Sequence, residues 1–130
     1  MIRLLKDYLG KLMTCAIILI SKSKCEQYMT YERIMGLEVI DQDMYQDYRD
    51  AMTPLLNAVG GDFGFDFIVS KVLKSKTEDN INRVFTLEFP SKEIMCQFFN
   101  SSEYLAFKKR YFDGSVKSKV VISLHEKIAI

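Results

Sequence analysis

The 130-residue sequence has no tryptophan, one histidine and two prolines, and its three cysteines form no C-x-x-C pair. A single imidazole, His125, excludes a metal centre built from several histidines of one chain. Cys15, Cys25 and Cys96 are odd in number and lack metal-ligand spacing, so neither a disulfide framework nor a zinc site is indicated; a reducing, cytoplasmic setting is expected. Neither G-x-x-x-x-G-K-[ST] nor G-x-G-x-x-G occurs, which leaves nucleotide phosphates without a recognisable cradle. No repeat of fixed period is present, and solenoid architectures drop out.

Charge of one sign is also scarce. The net charge is +1, with five basic and two acidic residues in 1–28 and 13 basic against 15 acidic residues after them. A slightly acidic main segment does not suit a nucleic-acid surface, which needs clustered Lys and Arg; the one basic run, Lys108-Lys109-Arg110, reads as a solvated helix face. The apolar stretch from Leu12 to Ile20 is far short of the roughly 20 residues that cross a bilayer.

What is present is core-forming material: 48% hydrophobic residues, with nine Phe and seven Tyr. Residues 1–28 read as a separate extension. Leu5, Tyr8, Leu9, Leu12, Met13 and Ala16 share one helical face there, opposite Arg3, Lys6, Asp7 and Lys11. Four readings of this amphipathic segment stay open. They are packing on the main module or its dimer partner, which is favoured, a membrane-surface helix, a signal peptide, and an upstream extension with Met29 as the natural start.

From residue 29 onward the periodicity switches between two and 3.6. Tyr31–Ile40 alternates as a strand, with Met35, Leu37 and Val39 on one face. A helix follows, with Asp43 and Gln46 spaced as a capping box, Met44, Tyr48, Met52, Leu55 and Val59 at helical intervals, and Gly60-Gly61 as its stop. Pro54 predicts a kink near Asp50. Phe63, Phe65, Phe67 and Val69 give the clearest period of two in the chain. Arg83–Phe89 is a third strand after a polar connection. Ser91 and then Ser101 or Ser102 start helical turns, and Lys119–Glu126 is the last strand, with Val120, Ile122 and Leu124 opposite Val121, Ser123 and His125.

The order β-α-β-β-α-β predicts an α+β, ferredoxin-like fold: a four-stranded antiparallel sheet in spatial order 4-1-3-2 with helices on one face. The other face lacks a cover within the monomer, so a second copy is expected there, forming a homodimer of the dimeric α+β barrel type.

Several separated segments resemble the DUF1330 family. They are Tyr45-Gln46-Asp47-Tyr48-Arg49, Pro54-Leu55-Leu56 with Gly60-Gly61, Leu87-Glu88-Phe89-Pro90-Ser91, and Asn100-Ser101-Ser102-Glu103-Tyr104, in order and spacing over about three quarters of the chain. The resemblance implies the ferredoxin-like fold over residues 29–130 and a homodimer; the family has no generally established activity. Phe98-Phe99 stands where that family often has Trp or Tyr in an aromatic pair. No cofactor is expected, since haem of the kind some dimeric barrels hold needs an axial ligand and His125 is the one histidine.

If the apolar strand residues face the helices, Gly36, Glu38, Thr86, Glu88, Ser123 and His125 share the opposite face. The candidate chemistry is a cleft there in which His125 acts as acid or base and Glu88 orients it or a substrate. Tyr48 or Tyr104 would lend a hydroxyl, Thr86 and Ser123 would line the site, and Gly36 would leave space above the sheet. Glu38 is too distant to take part. The function expected is a homodimer that binds or transforms a small organic molecule in that cleft; the alternative is a non-catalytic structural or regulatory homodimer.

Overall fold

A computed structural model describes residues 29–129, so the helix expected within residues 1–28 lies outside them. Thr30–Glu126 is one compact unit. Its elements are β1 (Met29–Val39), α1 (Gln42–Ala58), β2 (Asp62–Ile68), β3 (Arg83–Phe89), α2 (Lys92–Phe99) and α3 (Ser102–Phe107), then a wide π-type turn (Lys108–Phe112), a short turn (Asp113–Ser115) and β4 (Val116–Ile128). The sheet order is β2-β3-β1-β4, the expected arrangement. No helix among the described residues is long and apolar enough to cross a membrane.

The core forms where the two periodicities meet. Met35, Leu37 and Val39 from β1 and Phe85, Leu87 and Phe89 from β3 pack against Tyr45, Tyr48, Met52 and Leu56 of α1 and Met95, Phe98 and Tyr104 beyond β3. Alternation puts the six strand residues on one face, and the i, i+3, i+4 spacing of α1 matches it. Antiparallel pairing of β1 with β3, running from Tyr31↔Phe89 to Leu37↔Arg83, brings the two apolar sets into register.

Three local expectations are corrected. α1 is capped by Asp41, whose carboxylate accepts from the Met44 amide at 3.0 Å. Asp43 instead occupies the first turn, where its charge complements the helix dipole. α1 runs from Gln42 to Ala58 with Pro54 inside it.

The Phe63-to-Val69 alternation does not hold as a single stripe. The β2–β3 register shifts between Phe63, opposite Leu87, and Asp66, opposite Phe85. This is a β-bulge, in which extra residues on one strand oppose a single partner and reverse which face the later residues take. Phe63 therefore packs on Phe85 at the helix side, while Phe65 and Phe67 are 50% and 56% exposed and stack on each other with centroids 6.1 Å apart. Gly64 permits the bulge: a Cβ there would lie 2.5 Å from Thr86 Oγ1, the atom that accepts the Phe65 amide at 2.8 Å.

β4 changes phase as well. Exposure alternates along it until Val121 and Ile122, which are both exposed in succession. Lys119 lines the helix-side cavity with Arg33, whereas His125 meets Glu32, the neighbour of Arg33 that points to the opposite face. A strictly pleated strand would put residues six apart on one face, so the pleat loses a step between them. β4 is at the sheet edge, where such a break disturbs only one ladder.

Candidate functional site

The residues expected to form one site fall on two faces of the sheet. On the face away from the helices, His125 Nε2 lies 2.8 Å from Glu32 Oε1, and His125 Nδ1 lies 2.6 Å from Ser123 Oγ. Glu32 therefore stands between His125 and Glu88, which it opposes in the β1–β3 register. Glu32 has the same parity as Gly36 and could have been read from the sequence; it was missed because it precedes the apolar run. Gly36 does not open a space, since the Ile81 side chain fills it and a Cβ would sit 3.1 Å from that side chain. Thr86 is 9% exposed and its hydroxyl holds the bulge.

Tyr48 and Tyr104 are on the other side of the sheet, between it and the helices. Their hydroxyls meet at 2.9 Å, and both rings are buried. α1 supplies Tyr48 on its core face, and the Ser101 cap, which accepts from the Tyr104 amide at 3.3 Å, starts the helix that supplies Tyr104. Burial pushes both phenols above their ordinary range, Tyr48 the further of the two.

This pair borders a cavity of about 180 Å³. Its floor is β1 and β3, through Met35, Leu37, Phe85 and Leu87; Tyr45, Met52 and Phe63 form a second side, and Arg33, Lys108 and Lys119 also line it. The Arg33 guanidinium lies 4.5 Å from the centroid of Phe99, a cation–π contact, and its Nε donates to Met35 Sδ at 3.2 Å. Burial lowers the Arg33 pKa, although the fields of Tyr104 and Tyr48 oppose this. Burial lowers Lys119 too, and the charges of Lys108 and Arg33 add to the effect. Arg33 shares parity with Met35 and Leu37, so a charge on the apolar stripe was a readable signal. Lys119 had no such signal, because the phase break in β4 hides its face.

Beside the cavity, Arg49 is 8% exposed and carries an ion cluster. Its guanidinium stacks 3.7 Å from the Phe63 centroid, donates to Tyr45 OH at 3.0 Å and to Asp66 Oδ2 at 2.8 Å. Arg83 donates to both Asp66 oxygens, at 2.8 and 2.9 Å. Burial raises the Asp66 carboxyl, but hydrogen bonds from Arg83 and the charges of both arginines outweigh it and hold the group below its ordinary range. The bulge makes this cluster possible by turning Asp66 to the helix side. No group of His, Cys, Asp and Glu among the described residues could hold a metal ion.

Solved structures share this architecture. A protein of unknown function from Rhodopseudomonas palustris superposes with a TM-score of 0.61 at 12% identity, covering 88% of this chain and 92% of its own. A dabb family protein with a ferredoxin-like fold from Mesorhizobium loti gives 0.52 at 10% identity, covering 78% and 98%. No curated protein is similar enough to count as a relative. The fold is that of the ferredoxin-like α+β proteins. More narrowly, the chain belongs to the DUF1330 family, described as a domain of unknown function, whose model matches residues 29–123.

Proposed function

We propose that the protein binds a small organic molecule in the cavity between the sheet and the helices, with the Tyr48–Tyr104 pair at its wall. The observation that carries this reading is a half-open cavity of about 180 Å³ between the sheet and the helices, with polar groups converging on it. Small-molecule sites have this form, mostly apolar with a few fixed polar groups. Leu105, 47% exposed, lines the cavity from α3, and a larger side chain there would obstruct it. A thermal-shift screen of neutral, anionic and cationic compounds of up to about ten heavy atoms is expected to yield hits, since a ligand that binds only the folded state raises its melting temperature. Those hits are expected to be lost in Leu105→Trp and kept in His125→Ala. Hits that vanish in His125→Ala and survive in Leu105→Trp would move the site to the face of Glu32, Ser123 and His125; no hits at all would end the binding reading.

We also propose that the helix-free face receives a second copy of the chain. The support is the stacked, half-exposed pair Phe65 and Phe67 on that face, since contiguous exposed apolar groups favour association. Light scattering is expected to give twice the chain mass for the unaltered protein and the monomer mass for Phe65→Asp/Phe67→Asp with helix content retained. An unaltered protein that runs as a monomer at high micromolar concentration would refute the pairing.

A further inference from the structure

We propose that the ligand of the helix-side cavity is a small organic anion, a monocarboxylate of about benzoate size, held at its charged end by Arg33 and Lys119 with the Tyr48–Tyr104 pair donating to it. This rests on the reading of the cavity as a binding site.

The cavity lining is one-sided in its hydrogen-bond chemistry. Among the described residues three cations border it, and no Asp, Glu, Asn, Gln, Ser, Thr or His does. Lys108 has a carboxylate of its own, Asp113 at 2.8 Å. Arg33 has none among the described residues: its Nε is turned to the Met35 sulfur and its plane rests on Phe99. Guanidinium offers five donors, and a thioether is a weak acceptor. Lys119 is in the same position, with its ammonium 5.9 Å from the Phe112 centroid and no ion pair among the described residues.

The two phenols add to this surplus. Two hydroxyls carry two protons, and the single bond between them at 2.9 Å uses one. The other O–H is buried and needs an acceptor. Arg33 is half-buried and Lys119, more exposed, stands at the rim of the same cavity; their like charges raise each other's energy, and an anion between them relieves it. A neutral apolar occupant would leave Arg33, Lys119 and the spare phenol proton unanswered, whereas a carboxylate offers about four lone-pair sites to this set.

Size sets the rest of the molecule. An apolar cavity of about 150 Å³ accommodates benzene, so 180 Å³ leaves room for one six-membered ring and a carboxylate group. The apolar floor suits such a ring, and Phe63 and Phe85 can meet it edge-on.

Titration calorimetry with benzoate and with its neutral counterpart benzamide tests the inference. Benzoate is expected to bind at least tenfold more tightly than benzamide and to weaken as salt is raised. Arg33→Met is expected to reduce benzoate affinity tenfold or more and Lys119→Met several-fold. Both should weaken benzamide far less than benzoate, and Arg33→Met should leave the unliganded melting temperature equal or higher, because it removes an unpaired charge from a partly buried site. Equal affinity for the two probes, or benzoate binding unaffected in both variants, overturns the anion inference and leaves the cavity reading standing. If neither probe binds at millimolar concentration the anion inference also falls, while the cavity reading falls only if the wider compound screen is empty too.

Discussion

Asp66→Ala is expected to destabilise the fold by about 3 kcal/mol, in the range seen when one partner of a buried ion pair is removed and the other is left behind. The variant strands Arg49 and also unpairs Arg83, whose side chains are 10% and 15% exposed. Asp66 itself is 31% exposed, and water entering its place offsets part of the loss. Arg49→Met is the informative contrast. It takes out the more buried charge, fills most of the same space against Phe63 and leaves Asp66 with Arg83, so its cost should be roughly half as large. Urea denaturation of both variants checks the order, and an Arg49→Met cost above that of Asp66→Ala would contradict this view of the cluster. The same group sets an acid limit. Because its folded pKa lies below its ordinary value of 3.8, the stabilisation it gives is complete above that value and is lost as pH falls through the folded pKa. The gap in melting temperature between the unaltered protein and Asp66→Ala should therefore hold near neutrality and narrow below about pH 4.

Leu56→Ala is expected to cost about 3–4 kcal/mol, a value within the range for emptying a fully buried leucine site. Leu56 is 0% exposed in the middle of the core. It is also packed against the chain reversal that ends α1. Gly60 there has φ of 82°, in the left-handed region that favours glycine, and a Cβ on Gly61 would stand 2.6 Å from Leu56 Cδ1 and 3.1 Å from the Glu88 carbonyl oxygen. Gly61→Ala alone should cost about 2 kcal/mol through this overpacking. In the double variant the missing leucine makes room for the new methyl, while the backbone oxygen cannot withdraw. The two costs should fall short of additivity by about 1 kcal/mol, a coupling of the size contacting residues show. Full additivity would mean that the Glu88 carbonyl alone opposes a Cβ at Gly61.

The strand and helix order was legible in the sequence because each element carries its own period. Arg83–Phe89 was bounded correctly from alternation alone, and the Ser91 and Ser101 caps were visible as hydroxyls ahead of apolar helical spacing. Tyr48 and Tyr104 were also singled out from the sequence. Their meeting was not, because the cleft reading lends only one of the two hydroxyls, to the face of His125, although Tyr48 shares its helical spacing with Met52.

The larger differences come from residues that do not repeat. A bulge is one irregular step in the ladder; Gly64 is the mark it leaves in Phe63-Gly64-Phe65-Asp66-Phe67, and the strict alternation of aromatics around that glycine conceals it. The stripe of four aromatics then looks uniform, although the fold sends Phe63 inward and Phe65 and Phe67 outward, and brings Asp66 to Arg49. The break at Val121–Ile122 is hidden in the same way, within a run of residues that suit a strand on either face.

Taken alone, the sequence determined the α+β order, the composition of the core and the absence of a phosphate loop or a multi-histidine centre, because local periodicity and residue inventory carry that information. The tertiary structure decided that the phenols, Arg33 and Lys119 share one cavity while Glu32, Ser123 and His125 share the opposite face. Facing is a running count along each strand, and one bulge or one lost step reverses it for every residue that follows.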